Sequence, residues 1–125
     1  MTGVQTCALP ISYAILPQTT FSHRFAELVH RQGKEVMLHQ PMQALNGEAM
    51  GPGGLSLYMT HEAFVNTLRA NLESVPHARG LNNHMGSLLT RHPGQMAWLM
   101  DALQEHGGLF FVDSTTTSQI GRAHV

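Results

Sequence analysis

The sequence predicts an α/β fold with a parallel sheet. Two observations predict it. Four short apolar runs suited to strands alternate with three segments of helical period, in the order βαβαβαβ. The last run, Leu109 to Val112, is uninterrupted apolar sequence of the kind buried on both faces of a parallel sheet. Strands that alternate with helices in this way are joined by right-handed crossovers and run in one direction.

Tyr13 to Leu16 forms the first run, stopped by Pro17, which cannot donate to a ladder. Gln18, Thr19 and Thr20 make a polar turn. Phe21, Phe25, Leu28 and Val29 then recur at helical spacing among His23, Arg24, Glu27, His30 and Arg31, and Gly33 closes that helix. Glu35 to Leu38 is the second strand, with His39 at its end before Gln40 and the break at Pro41. Residues 43–56 carry Asn46, Gly47, Gly51, Pro52, Gly53 and Gly54 and read as a loop, long enough for a flap on the substrate side. Thr60 caps a second helix with Phe64, Val65, Leu68 and Leu72 on its core face, ending near Ser74. Ala78 to Asn83 is the third strand and leads into a turn through His84, Gly86 and Ser87. Thr90 as N-cap and Pro93 in the first turn open the third helix, whose core face is Met96, Leu99, Met100 and Leu103 with Trp98 beside it. Gly107 and Gly108 end it, and the fourth strand finishes at Asp113 and Ser114.

The two ends stand apart from this pattern. Residues 2–11 and 120–125 resemble in-frame translations of a short-read sequencing adaptor, so 1–11 and 120–125 are set aside and 12–119 is taken as the native segment. The single cysteine, Cys7, falls in the excluded part, which leaves no disulfide framework and no thiolate metal site. Without Arg122, six basic residues face eight acidic ones, and no basic patch for nucleic acid follows. With 42% hydrophobic and 12% charged residues the chain is globular rather than disordered. No apolar run approaches the roughly 20 residues of a membrane span.

Successive strands end in Pro17, in His39, in Asn82, Asn83 and His84, and in Asp113 with Ser114. On a parallel sheet these ends share one side, where α/β proteins place their sites. Each residue also has an ordinary reading. His39 and His84 can simply bond neighbouring carbonyls, Asp113 can cap a turn, and Asn82 and Asn83 can satisfy backbone at a bend. The remaining histidines fall on polar helix faces, helix ends or turns. Together, two imidazoles and a carboxylate at strand ends are the ligand types of a hydrolytic metal site that keeps a position open for water.

Three stretches carry a resemblance: Val36-Met37-Leu38-His39-Gln40-Pro41-Met42, Leu81-Asn82-Asn83-His84-Met85-Gly86-Ser87 with Thr90, and Leu109-Phe110-Phe111-Val112-Asp113-Ser114. In wording and order they resemble the divergent polysaccharide deacetylase family, across nearly all of 12–119. The resemblance implies an irregular (β/α) barrel of parallel strands, of which this chain is a βαβαβαβ piece, and an exported protein, periplasmic or secreted, acting on carbohydrate. It implies a divalent metal, zinc by ligand type, held by His39, His84 and an aspartate from a strand expected to precede Ser12. Asp113 becomes the catalytic carboxylate, and Asn82, Asn83, Ser87 and Ser114 the substrate-binding groups. Thr115 stands where the family usually has arginine, and Gln43 where glutamate is frequent.

The function implied for the parent protein is metal-dependent removal of acetyl groups from envelope polysaccharide. This interior piece, with two of three metal ligands and unpaired sheet edges, is expected to be inactive alone. The alternative is a noncatalytic carbohydrate-binding or envelope-assembly protein on the same fold. A nucleotide-binding domain is disfavoured because no glycine-rich phosphate loop follows any strand.

Overall fold

The computed structural model describes residues 4–5, 12–47 and 49–114; Thr115, Gln119 and the rest of both terminal stretches lie outside them. In chain order the elements are β1 (Val4–Gln5), β2 (Ser12–Ile15), α1 (Ser22–Arg31), β3 (Glu35–Met42), α2 (His61–Ser74), β4 (Ala78–Met85), a 3-10 turn (Leu89–Arg91), α3 (Pro93–Glu105) and β5 (Phe110–Val112). They form one five-stranded sheet in the order β1-β2-β3-β4-β5. The four strands β2 to β5 are parallel and alternate with helices, as expected, while the two-residue β1 adds an antiparallel pairing to β2 that the sequence did not suggest.

Each helix connects a strand to its immediate parallel neighbour, so right-handed crossovers put all three helices on one face. The core confirms this placement. Ile15, Val36, Leu38, Met42 and Leu81 of the sheet pack with Ala26 and Val29 of α1, Phe64, Leu68 and Leu72 of α2, and Leu99, Ala102 and Leu103 of α3. Side chains alternate along a strand. Met37, His39 and Pro41 of β3 and Gly80, Asn82 and His84 of β4 therefore belong to the opposite face. A sequential strand order with helices on one side is how the wall of a (β/α) barrel is laid out; a doubly wound sheet reverses order and covers both faces.

Several expected details shift. On α1 the buried positions are Ser22, Ala26 and Val29, whereas Phe21 and Leu28 are 43% and 42% exposed. Ser22 is drawn inward because its hydroxyl donates to Leu16 O at 2.6 Å and its oxygen accepts Thr19 N–H at 3.0 Å. Gly33 does follow the helix, with Lys34 N–H reaching back to Val29 O at 3.2 Å. Thr60 caps α2 as expected, its hydroxyl oxygen accepting Ala63 N–H at 3.1 Å. The N-cap of α3 is His92 rather than Thr90, whose hydroxyl donates to Gly86 O at 2.7 Å within the preceding turn. Met100 is exposed and Ala102 takes its place in the core. On β5, Phe110 is 39% exposed, since among the described residues this strand pairs with β4 alone.

The largest change is at Pro41, which lies inside β3 instead of ending it. Its carbonyl accepts Leu55 N–H at 2.9 Å, on the side that β2 has already left at Ile15, so the missing proline donor faces no ladder partner. The loop after β3 is pinned rather than free to flap. Leu55 is fully buried and bridges Met42, Gln43 N–H donates to Leu55 O at 2.9 Å, and Leu57 N–H donates to Gln43 Oε1 at 2.8 Å. Gln43 thus holds this loop.

Candidate metal and hydrolase site

β3 and β4 are in register from Met37 opposite Gly80 onwards, which sets His39 beside Asn82 and Pro41 beside His84 on the face away from the helices. β4 continues through Asn82, Asn83 and His84 to Met85, so this polar row stands on a strand and the turn begins after it. Gly86 makes that turn at φ +96°, where a Cβ would lie 2.9 Å from the Met42 Cβ; only glycine fits on both counts.

His39 Nδ1–H donates to Asn82 Oδ1 at 2.8 Å. Because that oxygen can only accept, Nε2 of a neutral His39 keeps its lone pair. His84 Nδ1 lies 3.1 Å from it and donates its proton there. The ring centroids are 4.8 Å apart, with the planes tilted by 52°. Burial, opposed by the Asn82 hydrogen bond and aided by the nearby His84, pushes the His39 pKa down to about 4. His39 is therefore neutral at pH 7, the state in which imidazole ligates metals.

Two nitrogens each about 2.1 Å from one tetrahedral or octahedral cation stand roughly 3.0–3.4 Å apart. The 3.1 Å separation of His39 Nε2 and His84 Nδ1 fits that requirement when His84 carries its proton on Nε2, which frees the Nδ1 lone pair. Asn82 supplies the outer hydrogen bond that fixes the ring and tautomer of His39. Among the described residues, no group of three His, Cys, Asp or Glu side chains is placed to hold a metal, so Asp113 does not join the pair. It follows Val112 at the same end of the sheet, half-buried.

The polar residues expected to bind substrate are engaged within the protein. Asn82 and Asn83 are each 2% exposed. Asn83 Nδ2 donates to Met85 O at 2.8 Å, while its Oδ1 accepts Ser114 N–H at 2.7 Å, tying the end of β4 to the chain after β5. Ser114 Oγ donates to Asn83 O at 2.7 Å, and Ser87 Oγ accepts Leu45 N–H at 2.9 Å.

A second buried polar row escaped the sequence reading. Gln40, on the helix side of β3, donates from Nε2 to Pro41 O and Gly53 O at 2.8 and 2.9 Å and accepts from Asn71 Nδ2 at 2.7 Å. Asn71 also donates to Gly53 O at 2.8 Å and accepts from Gln18 Nε2 at 3.2 Å. The available signal was Asn71 itself, an amide three residues from Leu68 on the apolar stripe of α2.

The family model described as divergent polysaccharide deacetylase matches residues 2–123. The chain belongs to that family. It is 35% identical over 114 residues to the uncharacterised protein YibQ of Escherichia coli strain K12, covering 90% of this chain and 35% of the relative. An uncharacterised Haemophilus influenzae protein is 38% identical over 106 residues, with 85% of this chain and 38% of that one covered. The chain thus spans a little over a third of these curated relatives. The crystal structure of the uncharacterised protein ATU2773 from Agrobacterium tumefaciens C58 superposes with a TM-score of 0.78 at 19% identity, covering 92% of this chain and 50% of that one. That likeness is one of fold. The parallel α/β arrangement of this divergent polysaccharide deacetylase chain is thus shared with that solved structure.

Proposed function

We propose that the parent protein is a metal-dependent hydrolase of the bacterial envelope that removes acetyl groups from carbohydrate, and that this chain contributes two of the metal's ligands. The reading rests on the His39–His84 pair, with nitrogens 3.1 Å apart on the neighbouring parallel strands β3 and β4. His39 Nε2 and the His84 imidazole would hold the divalent cation, zinc by donor type, and Asn82 would keep His39 in the required tautomer. Such a cation polarises an acyl carbonyl and activates water at neutral pH. Burial of His39 keeps its nitrogen free of a competing proton down to acid pH. Asp113, at the same end of the sheet, is the carboxylate assigned to proton transfer.

The test is acetate release from acetylated glycan by the full-length protein. Release that depends on added metal and is lost in His84→Ala, with the fold retained, is the expected result. A second reading, a noncatalytic carbohydrate-binding protein, has its support in the pair standing without a third ligand among the described residues. Equal glycan binding with and without metal, and no acetate, would establish that reading instead.

A further inference from the structure

The other end of the sheet holds a second cluster of nitrogen-bearing side chains, independent of the site above. A groove of about 530 Å³ opens between the end of α1, the start of β3 and the turn entering β4, lined by His30, Lys34, Glu35, His77 and Arg79. We infer that this groove binds a small oxyanion of the phosphate type.

Two backbone irregularities within three residues form one wall. His77 has φ +69°, a left-handed conformation uncommon for a residue with a side chain. In the ladder, Val36 opposes Ala78 and Met37 opposes Gly80, so Arg79 is an extra residue without an opposite number, a bulge. Bulges re-aim side chains, and unusual backbone conformations gather where a protein binds something. Here both residues line the same groove.

The chemistry of the wall selects an anion. Arg79 makes no hydrogen bond or ion pair with any described residue, so its five-donor fork is open to a ligand. Lys34 lies 5.3 Å from the centre of the Tyr13 ring and 3.5 Å from its hydroxyl, a loose hold. The carboxylate of Glu35 already accepts the Ser12 hydroxyl at 2.7 Å, and Glu27 is paired with His77 Nε2 at 3.0 Å. His30 and His77 are stacked at 3.8 Å with planes only 4° apart. Ring lone pairs lie in the ring plane, so two parallel rings cannot converge on one cation, whereas a His30 N–H can donate to an oxyanion beside Arg79 and Lys34 while His77 Nε2 stays with Glu27. Charge-assisted bonds from guanidinium, ammonium and imidazole are the usual means of holding phosphate. The groove has room for a phosphate group carried on a small molecule as well as for the free ion.

The experiment is isothermal titration of the purified chain with inorganic pyrophosphate, with glucose 6-phosphate and with glucose, followed by NMR of the histidine rings. Saturable binding of pyrophosphate or glucose 6-phosphate, but not of glucose, is expected, with the His30 and His77 resonances shifted. The tighter of the two phosphates identifies a free or a carried oxyanion. Arg79→Gln weakens binding by about tenfold or more, the worth of one charged hydrogen-bond pair. Arg24→Gln, exposed on α1 and outside the groove, leaves it unchanged. Should Arg79→Gln fail to fold, Lys34→Gln takes its place with the same expected direction. The inference is overturned by absence of saturable binding at millimolar concentration, or by unaltered affinity in the folded variant.

Discussion

His39 and Gln40 are neighbours on one strand, and each begins a buried polar row on its own face of the sheet. Gln40 is fully buried and His39 is 9% exposed, so burial hardly separates them. Their partners do. The Gln40 row consists of amides and backbone carbonyls, with each amide donor set against an oxygen, and nothing in it can change charge. In the His39 row one imidazole donates to the lone pair of another, and both groups can gain or lose a proton. A buried polar residue therefore does not mark a site by itself. What distinguishes the histidine row is that its bonds can be exchanged for another partner, while the amide row gains nothing by opening.

The sharpest way to break this contrast is to remove one residue from each row. Gln40→Ala deletes two donors and one acceptor at once, leaves one Asn71 Nδ2 hydrogen without its acceptor in the interior and leaves Gly53 O with Asn71 as its sole side-chain donor. A loss of about 3 kcal/mol or more is expected, read by urea denaturation at pH 7. His39→Ala should cost less, about 1–2 kcal/mol, because its partners are fewer. Equal costs would mean that both rows are structural.

The second test uses charge. The folded pKa of His39 is lowered to about 4 from 6.5. Between those values the unfolded chain binds more protons than the folded one, so stability is full above pH 6.5 and falls as pH drops towards 4. The group contributes about 3 kcal/mol over that window. His39→Gln should flatten the acid limb of the stability profile, and Gln40→Ala should lower the profile without changing its slope. An acid limb retained in His39→Gln would assign the pH dependence to other groups.

A smaller effect comes from the loop that the amide row holds. Gly53 has φ +78°, and a Cβ there would lie 2.5 Å from Asn71 Oδ1. Gly53→Ala should cost about 2 kcal/mol from the left-handed backbone alone, with displacement of Asn71 added. If the cost arises partly from that contact, Asn71→Ala will reduce it in a double-mutant cycle.

The parallel order of the strands was legible because it depends on which segments are apolar and at what period, and those patterns are local. His84, one residue from the end of β4, was placed near a strand end for the same reason, whereas His39, read as the end of its strand, lies inside β3, which runs on to Met42. Their 3.1 Å approach was not, since it follows from the β3–β4 register and from the irregularity at Arg79, which sequence spacing does not encode. Pro41 was misread as a break because its tolerance depends on where the neighbouring β2 stops. Gln40 looked like a loop residue for that reason. The face of α1 was misjudged by one position because the hydrogen bond of Ser22 to Leu16 outweighed the pull of the larger Phe21 and Leu28.

The smallest predicted effect calibrates the glycine comparison. Gly94 is the second residue of α3, after Pro93, and a Cβ built there meets nothing within 4 Å. Its backbone is not left-handed, so alanine can adopt the same conformation while the unfolded chain loses freedom. Gly94→Ala should stabilise the protein by about 0.5 kcal/mol, less than the full helix-interior value because the first turn is only partly hydrogen-bonded. The same added methyl group would then stabilise at residue 94 and destabilise at residue 53. That opposite sign would trace the cost at Gly53 to its backbone conformation and to Asn71. A loss at both positions would instead point to a general intolerance of the fold to added volume, and the special place given to Gly53 in the amide row would have to be withdrawn.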